Sequence, residues 1–370
     1  MKLINISLIT ALAVSAIVAG GDIEKVETEV VEIEKVVEVS KTTVGGNLKI
    51  YNYTNDSVDF FDKESSSTAT AVTLDVSHEI MTGVTANFTV LGYTDLGDSA
   101  GLLKMEGQST GAFFNVANLT AHYADTTFVA GRQTLDTPMI GSFDWLLAPS
   151  GFEAYTLVNK SINNLTLVAS FVDKLRANNS GEEFAKLDGD NFTVGASYSD
   201  VLSASVWYYN VDAGNYTEVY ADAGYDYSGV KVEGQVVSTD YDDEGEDSTV
   251  YGLKISGAFS NVNLSASYAS VSDREAGMVE VDSIYTSSWN IFASGIMTDS
   301  FKAEIGTELD NFTATLSYAD YDTANEVDVI LGYQINDKFD LGAIYTSTEY
   351  DTTTDDGTEG ALEIILSYKF

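Results

Sequence analysis

The chain has 370 residues, with no Cys, two His and two Pro, and 57 Asp and Glu set against 18 Lys and Arg for a formal charge of −39. Disulfides, thiol catalysis and Cys-ligated metal or haem sites are therefore excluded. The charge opposes nucleic acid and anionic lipid surfaces as partners and favours cations, bound or in transit.

The N-terminus reads Met1-Lys2, an apolar run from Leu3 to Val18, then Ala19, Gly20 and Gly21. One early positive charge, a short apolar core and a small-residue exit predict a secretory signal peptide over residues 1–20, cleaved after Ala19 or Gly20. The run is short for a membrane span. No later segment is apolar enough to cross a bilayer as a helix, and without Cys there is no lipoprotein anchor. Residues 21–43 form a distinct acidic segment. Ile23, Val26, Val30, Ile33 and Val37 follow heptad spacing, and β-branched residues at both core positions favour trimers. So short a Val-rich helix is marginal alone, so an unordered acidic leader or an extra extended segment stays open beside the coiled coil.

From Val44 to Phe370 the pattern changes to stretches of about ten alternating residues separated by turn or loop residues, the grammar of a transmembrane β-barrel. Near-absence of Pro permits strand almost throughout. Phe312, Ala314, Leu316 and Tyr318 fall on one face, as do Val262, Leu264, Ala266 and Tyr268, while Thr, Ser, Asn and Gly fill the other. Phe192–Tyr198 and Leu165–Phe171 repeat the template. Many strands end on Tyr or Phe, as interfacial girdles do. The last strand puts Leu362, Ile364, Leu366, Tyr368 and Phe370 on one face and Ala361, Glu363, Ile365, Ser367 and Lys369 on the other. A chain stopping on Phe after such a strand matches the closing strand of a bacterial outer-membrane barrel.

Connections alternate in length. Short periplasmic turns fall at Asn163-Asn164, Ser199-Asp200, Ser228-Gly229, Ser260-Asn261, Asp310-Asn311 and Asn336-Asp337. Long external loops cover roughly 55–69, 94–110, 133–152, 174–190, 238–248 and 349–360. Counting every amphipathic segment gives nineteen, which cannot return both ends to one side. Reading Val271–Ser300 as one external loop leaves eighteen strands, eight short turns and nine external connections, with sixteen strands as the alternative.

Ala130-Gly-Arg-Gln-Thr-Leu-Asp-Thr-Pro-Met139, then Asp144-Trp145, Pro149, Phe152–Tyr155 and Asn159–Leu165, resembles the OprD porin family and, within that broad group, the Campylobacter-type major outer membrane protein. The resemblance covers about residues 126–175, with looser support from the signal peptide and the Tyr-Lys-Phe ending. It implies an eighteen-stranded, trimeric barrel whose third external loop, Gln133–Gly151 here, folds inward and narrows the pore. The residues agree: this loop carries Pro138, Pro149, Phe143 and Trp145 and is too apolar for a free solvated loop.

The family also implies a basic ladder facing acidic loop groups. Arg132 matches its motif, and Lys160, Lys174 and Arg176 are candidates to extend it; with 18 Lys and Arg in all, the chain departs from a long ladder. Asp136, Asp144 and Glu153 are acidic candidates for the constriction, where fixed carboxylates attract cations and repel anions. Each of these charges is as readily a structural charge as a selectivity determinant. No cofactor, metal or reaction is expected: no nucleophile motif surrounds His78 or His122. Asp242–Asp247 and Asp351–Gly357 lack the spacing of a calcium loop.

The expected function is a cation-preferring homotrimeric porin for passive diffusion of ions and small hydrophilic solutes. Its alternatives are a substrate-specific channel, using Arg132, Lys160 and Lys174 against Asp136 and Asp144, and a structural or adhesive surface barrel.

Overall fold

The computed structural model describes residues 41–97, 100–351 and 356–370. The signal peptide and all but the last few residues of the acidic segment lie outside them. The described chain is eighteen strands. The first six are β1 (Thr42–Asn55), β2 (Ser66–Met81), β3 (Val84–Asp95), β4 (Thr110–Tyr123), β5 (Thr126–Gln133) and β6 (Gly151–Ile162). The next six are β7 (Leu165–Arg176), β8 (Ala185–Ser199), β9 (Leu202–Val211), β10 (Tyr216–Tyr227), β11 (Val230–Tyr241) and β12 (Ser248–Phe259). The last are β13 (Val262–Ser272), β14 (Asp299–Leu309), β15 (Phe312–Asp320), β16 (Ala324–Asn336), β17 (Phe339–Asp351) and β18 (Asp356–Lys369).

Every strand pairs antiparallel with its sequence neighbours, and β1 pairs with both β2 and β18, so the sheet closes into an 18-stranded barrel. Closure leaves no free edge. At the seam Asn47 faces Lys369 and Asn55 faces Ala361. The Gly46 and Phe370 backbones exchange N–H···O bonds of 3.1 Å each way. Gly46 has to be Gly: a Cβ there would lie 2.2 Å from the Thr73 carbonyl and 2.6 Å from the Phe370 ring.

The outer wall is apolar. On β12 Tyr251, Leu253 and Ile255 are exposed while the alternating Val250 and Gly252 are buried. The same holds for Leu264 and Tyr268 and for Leu316 and Tyr318. Each such side chain gains about 1.5–3 kcal/mol on leaving water, so a wall covered with them is built for hydrocarbon. Tyr155, Phe171, Tyr208, Tyr251, Tyr268, Tyr318 and Tyr345 ring it towards the long loops, and Tyr225, Phe259, Tyr333 and Phe339 towards the short turns.

The expected eight turns and nine longer connections are present. Two turns sit one residue later than expected, at 200–201 and 337–338. The nine connections are labelled L1 to L9 in chain order. Three of them are short, L5 (212–215), L8 (321–323) and L9 (352–355). The 271–300 region is not a strand pair: L7 spans 273–298 and contains one turn of 3-10 helix at Ala293–Gly295. It departs from the expectation in one respect, because it folds into the barrel rather than outward.

Candidate functional site

L3 (134–150) leaves the short β5 at Gln133 and turns into the lumen. It is pulled there by its own apolar residues, which pack in two places. Leu135, Met139 and Ile140 join an inward cluster with Phe152, Tyr209, Val237 and Ala269. Leu146, Leu147 and Ala148 join a second cluster with Tyr51, Leu91, Met105 and Phe113. The Met139 amide donates to the Tyr209 hydroxyl at 3.2 Å, while Trp145 packs edge-on against Tyr53 of β1. L3 therefore reaches from the β9 wall to the β1 wall.

L7 covers the remaining sector. It is held to the β11 wall by Gln235, whose side-chain oxygen accepts from the Tyr285 amide at 3.0 Å. Lys302 of β14 donates to the Ser287 carbonyl at 2.9 Å, and Glu326 of β16 accepts from the Asn290 amide at 2.9 Å. Within L7, Asp282 organises the turn: its carboxylate accepts from the Ile284 amide at 2.7 Å, the Ser294 amide at 2.8 Å and the Ser287 hydroxyl at 3.0 Å. Burial pushes the Asp282 carboxyl above its ordinary range, and these bonds oppose that shift.

The two loops meet. Val279 donates to Met139 O at 2.8 Å and accepts from Gly141 N at 3.2 Å, and Ser283 donates to Pro138 O at 2.8 Å. Phe143 and Phe292 pack edge to face at 5.4 Å. Both then converge on Glu363 of β18. One oxygen of its carboxylate accepts from Trp145 Nε1 of L3 at 3.0 Å and Trp289 Nε1 of L7 at 2.9 Å, and the other accepts from the Tyr51 hydroxyl. A single buried carboxylate thus ties both loops to the strand that closes the barrel.

The expected site residues divide between three places. Asp136 and Asp144 lie on L3; Asp136 is exposed, while the Asp144 side chain is half-buried and pairs with Lys49 of β1 at 3.5 Å. Arg132, Glu153 and Lys174 do come together, with Glu153 3.8 Å from Arg132 and 3.1 Å from Lys174, but on the wrong face for a lumen site. Arg132 is in register with Glu153, and the next outward pair below is Ala130 with the exposed Tyr155. Their alternates, Gln133, Phe152 and Leu175, are the inward ones, Phe152 and Leu175 packing in the L3 cluster. The motif itself carries no facing information, and on β7 the extra residue Asp173 between Val172 and Lys174 changes the alternation just there. Lys160 sits exposed near the short-turn end, its amide bonded to Asp125 O, and joins none of the others. Arg176 is buried, donating to Asn115 Oδ1 at 3.1 Å and to the Pro149, Ala177 and Ser180 carbonyls.

The inward lysines are different ones. Lys231, Lys254 and Lys302 stand on the lumen face of β11, β12 and β14, with Glu233 beside Lys231 at 2.5 Å and Glu304 beside Lys302 at 3.7 Å. Each alternates with an exposed apolar neighbour such as Val232, Leu253 or Phe301, and that was the signal by which the sequence could have placed them.

Closure, alternation and two inward loops define a porin-type β-barrel. No family model and no curated protein matches the sequence. Among solved structures, the outer membrane protein OpdK of Pseudomonas aeruginosa superposes with a TM-score of 0.78 at 14% identity, over 89% of this chain and 98% of that one. OccK8 (OprE) of the same organism gives 0.74 at 13% identity, over 89% and 98%. OccAB4 of Acinetobacter baumannii gives 0.74 at 15%, over 90% and 99%. The OprD-type resemblance is thus carried by the architecture of the whole barrel.

Proposed function

We propose that the chain is an exported bacterial outer-membrane porin, a homotrimer whose water-filled lumen passes small hydrophilic solutes with a preference for cations. The observation that carries this is a loop that spans the lumen and bears two carboxylates, the exposed Asp136 and the Lys49-paired Asp144. A fixed negative charge at a narrowing raises local cation concentration and excludes anions, and the effect fades as salt screens it. The formal charge of −39 supports the same sign. The Campylobacter-type major outer membrane protein remains the finer sequence likeness, resting on the Gly131-Arg132-Gln133 segment. The test is the reversal potential of Asp136→Asn with Asp144→Asn in a potassium chloride gradient. Cation preference should fall with conductance retained; unchanged selectivity would rule these two carboxylates out.

A substrate-specific channel is the second reading, favoured by one observation. Lys254 has no carboxylate within salt-bridge distance among the described residues, and stands on the same rung as Lys302 with Ser267 between. That row suits a solute carrying a carboxylate. Loss of uptake of one acidic solute class in Lys254→Gln, with potassium conductance intact, would favour this reading over the first.

A further inference from the structure

The outward positions of a hydrocarbon-facing wall are where charge is most expensive, so their few charged residues are informative. Reading faces from the register, outward acids cap β11, β14, β15 and β17 at the long-loop end: Asp240, Asp299, Asp320 and Glu349. Outward Lys and Arg behave differently. Away from the short-turn end they occur on β5, β7 and β8 alone, as Arg132, Lys174 and Lys186, besides the buried Arg176. Lys174 and Lys186 are directly opposite each other. Like charges facing across a rung destabilise a sheet, so this pair is not explained by strand pairing.

Their height is set by the aromatic ring. Glu153 is the next outward residue above Tyr155, and Lys174 lies just above Phe171 beyond the bulge. The cluster therefore stands one step past the upper girdle, at the level of lipid headgroups. Glu153 accepts from Lys174 and lies beside Arg132, whose guanidinium also donates to the Phe114 carbonyl at 3.1 Å and stacks on the Phe184 ring at 4.2 Å. Lys186 is exposed and makes no ion pair among the described residues. Glu153, with Glu182 and Glu183 of the adjoining loop, matches the three cations in number, so the charge open to an anion is local, at the exposed Lys186 and the Lys174 opposite it. Beside the cluster opens a cavity of about 550 Å³ lined by Phe113, Phe114, Phe184, Arg132, Glu182 and Glu183. Its aromatic side suits an acyl chain or sugar face. Its two loop carboxylates oppose an anion, which places the anion at Lys174 and Lys186.

We infer that the outer rim of β5 to β8 is a docking site for the phosphate group of a phosphorylated glycolipid in the outer leaflet. The inference rests on the outer-membrane reading and adds a specific lipid partner to it. Guanidinium and ammonium groups at headgroup depth each contribute measurably to anionic lipid binding.

The test compares native mass spectrometry of the folded full-length barrel with a bis-phosphorylated glycolipid and with the same lipid enzymatically dephosphorylated. Wild type should retain the phosphorylated lipid about tenfold or more in preference. Arg132→Gln with Lys174→Gln and Lys186→Gln should abolish that preference, while Arg132→Lys with Lys174→Arg and Lys186→Arg should keep it. Heat-modifiable migration confirms that each variant is folded. Equal retention of both lipids by wild type, or unchanged preference in the Gln variant, overturns the inference while the barrel's insertion and conductance stand. An oligomer that falls apart in the Gln variant with lipid preference intact makes the cluster a protomer contact and overturns it too. A wild type that does not insert into bilayers overturns both this inference and the reading beneath it.

Discussion

Replacing Glu363 by Ala removes the one acceptor shared by the tryptophans of both lumen loops. Trp145 and Trp289 donate to the same oxygen at 3.0 and 2.9 Å, and Tyr51 to the other. A hydrogen bond to a charged group contributes about 1.5–3 kcal/mol, and a freed indole N–H in a wet lumen recovers part of that from water. Losing two such bonds therefore weakens the L3–L7 junction by about 2–4 kcal/mol, roughly a 30- to 900-fold change in how often it opens. The barrel itself should stay closed, because Glu363 keeps its backbone pairing with Tyr53 and Ile344. Single-channel recording should show frequent transitions to a larger conductance, and tryptophan emission should shift to the red. Unchanged gating noise together with unchanged emission would refute the idea that this carboxylate holds both loops.

Gly195→Val should displace Trp207 from the wall, since a Cβ there would lie 2.1 Å from the indole ring. Overpacking of this kind costs about 1–3 kcal/mol, read as a lower urea midpoint of the folded barrel; an unchanged midpoint would contradict the packing described. At the mouth, L6 (242–247) clamps the start of L7 through Asp243 and Arg274 at 2.8 and 3.0 Å. The Arg274 hydrogen bond, with help from the Gly245 amide, holds the Asp243 carboxyl below its ordinary range. A depressed carboxylate stabilises at pH above its unfolded value and loses that contribution as pH falls through the folded one. Protease resistance at the L6–L7 junction should therefore hold from about pH 8 to about pH 5 and fall in stronger acid. Asp243→Asn should remove this pH dependence; a junction that softens equally in the variant would contradict it.

The barrel was legible because its two rules are local. Alternation on β18 separated Leu362 from Glu363, and the parity of a closed sheet forced one amphipathic segment out of the strand count. What alternation cannot say is which apolar environment a segment seeks. Ile284, Ile291 and Ala293 of L7 are patterned like a lipid-facing strand, yet they bury inside the barrel against β13 and β16 residues. Glu363 was correctly placed on the polar face, but its partners lie 218 and 74 residues away, beyond any sequence pattern. Arg132 and Glu153 follow the unbroken outward alternation of Phe128, Ala130 and Tyr155, while on β7 the extra residue Asp173 turns Lys174 outward without altering composition. Lys231, Lys254 and Lys302 obey the same alternation rule, each facing the lumen between outward apolar neighbours, but they lie on β11, β12 and β14, far in sequence from the Gly131-Arg132-Gln133 motif.

The measurement that bears most directly on the proposed function is single-channel conductance of the wild-type protein in a planar bilayer, with its reversal potential across a potassium chloride gradient. Large steps arriving in threes, with a cation-selective reversal potential that weakens at high salt, are expected of a trimeric barrel narrowed by acidic L3. Properly folded, inserted protein that passes no current would mean that L3 and L7 seal the lumen, and would contradict the channel reading.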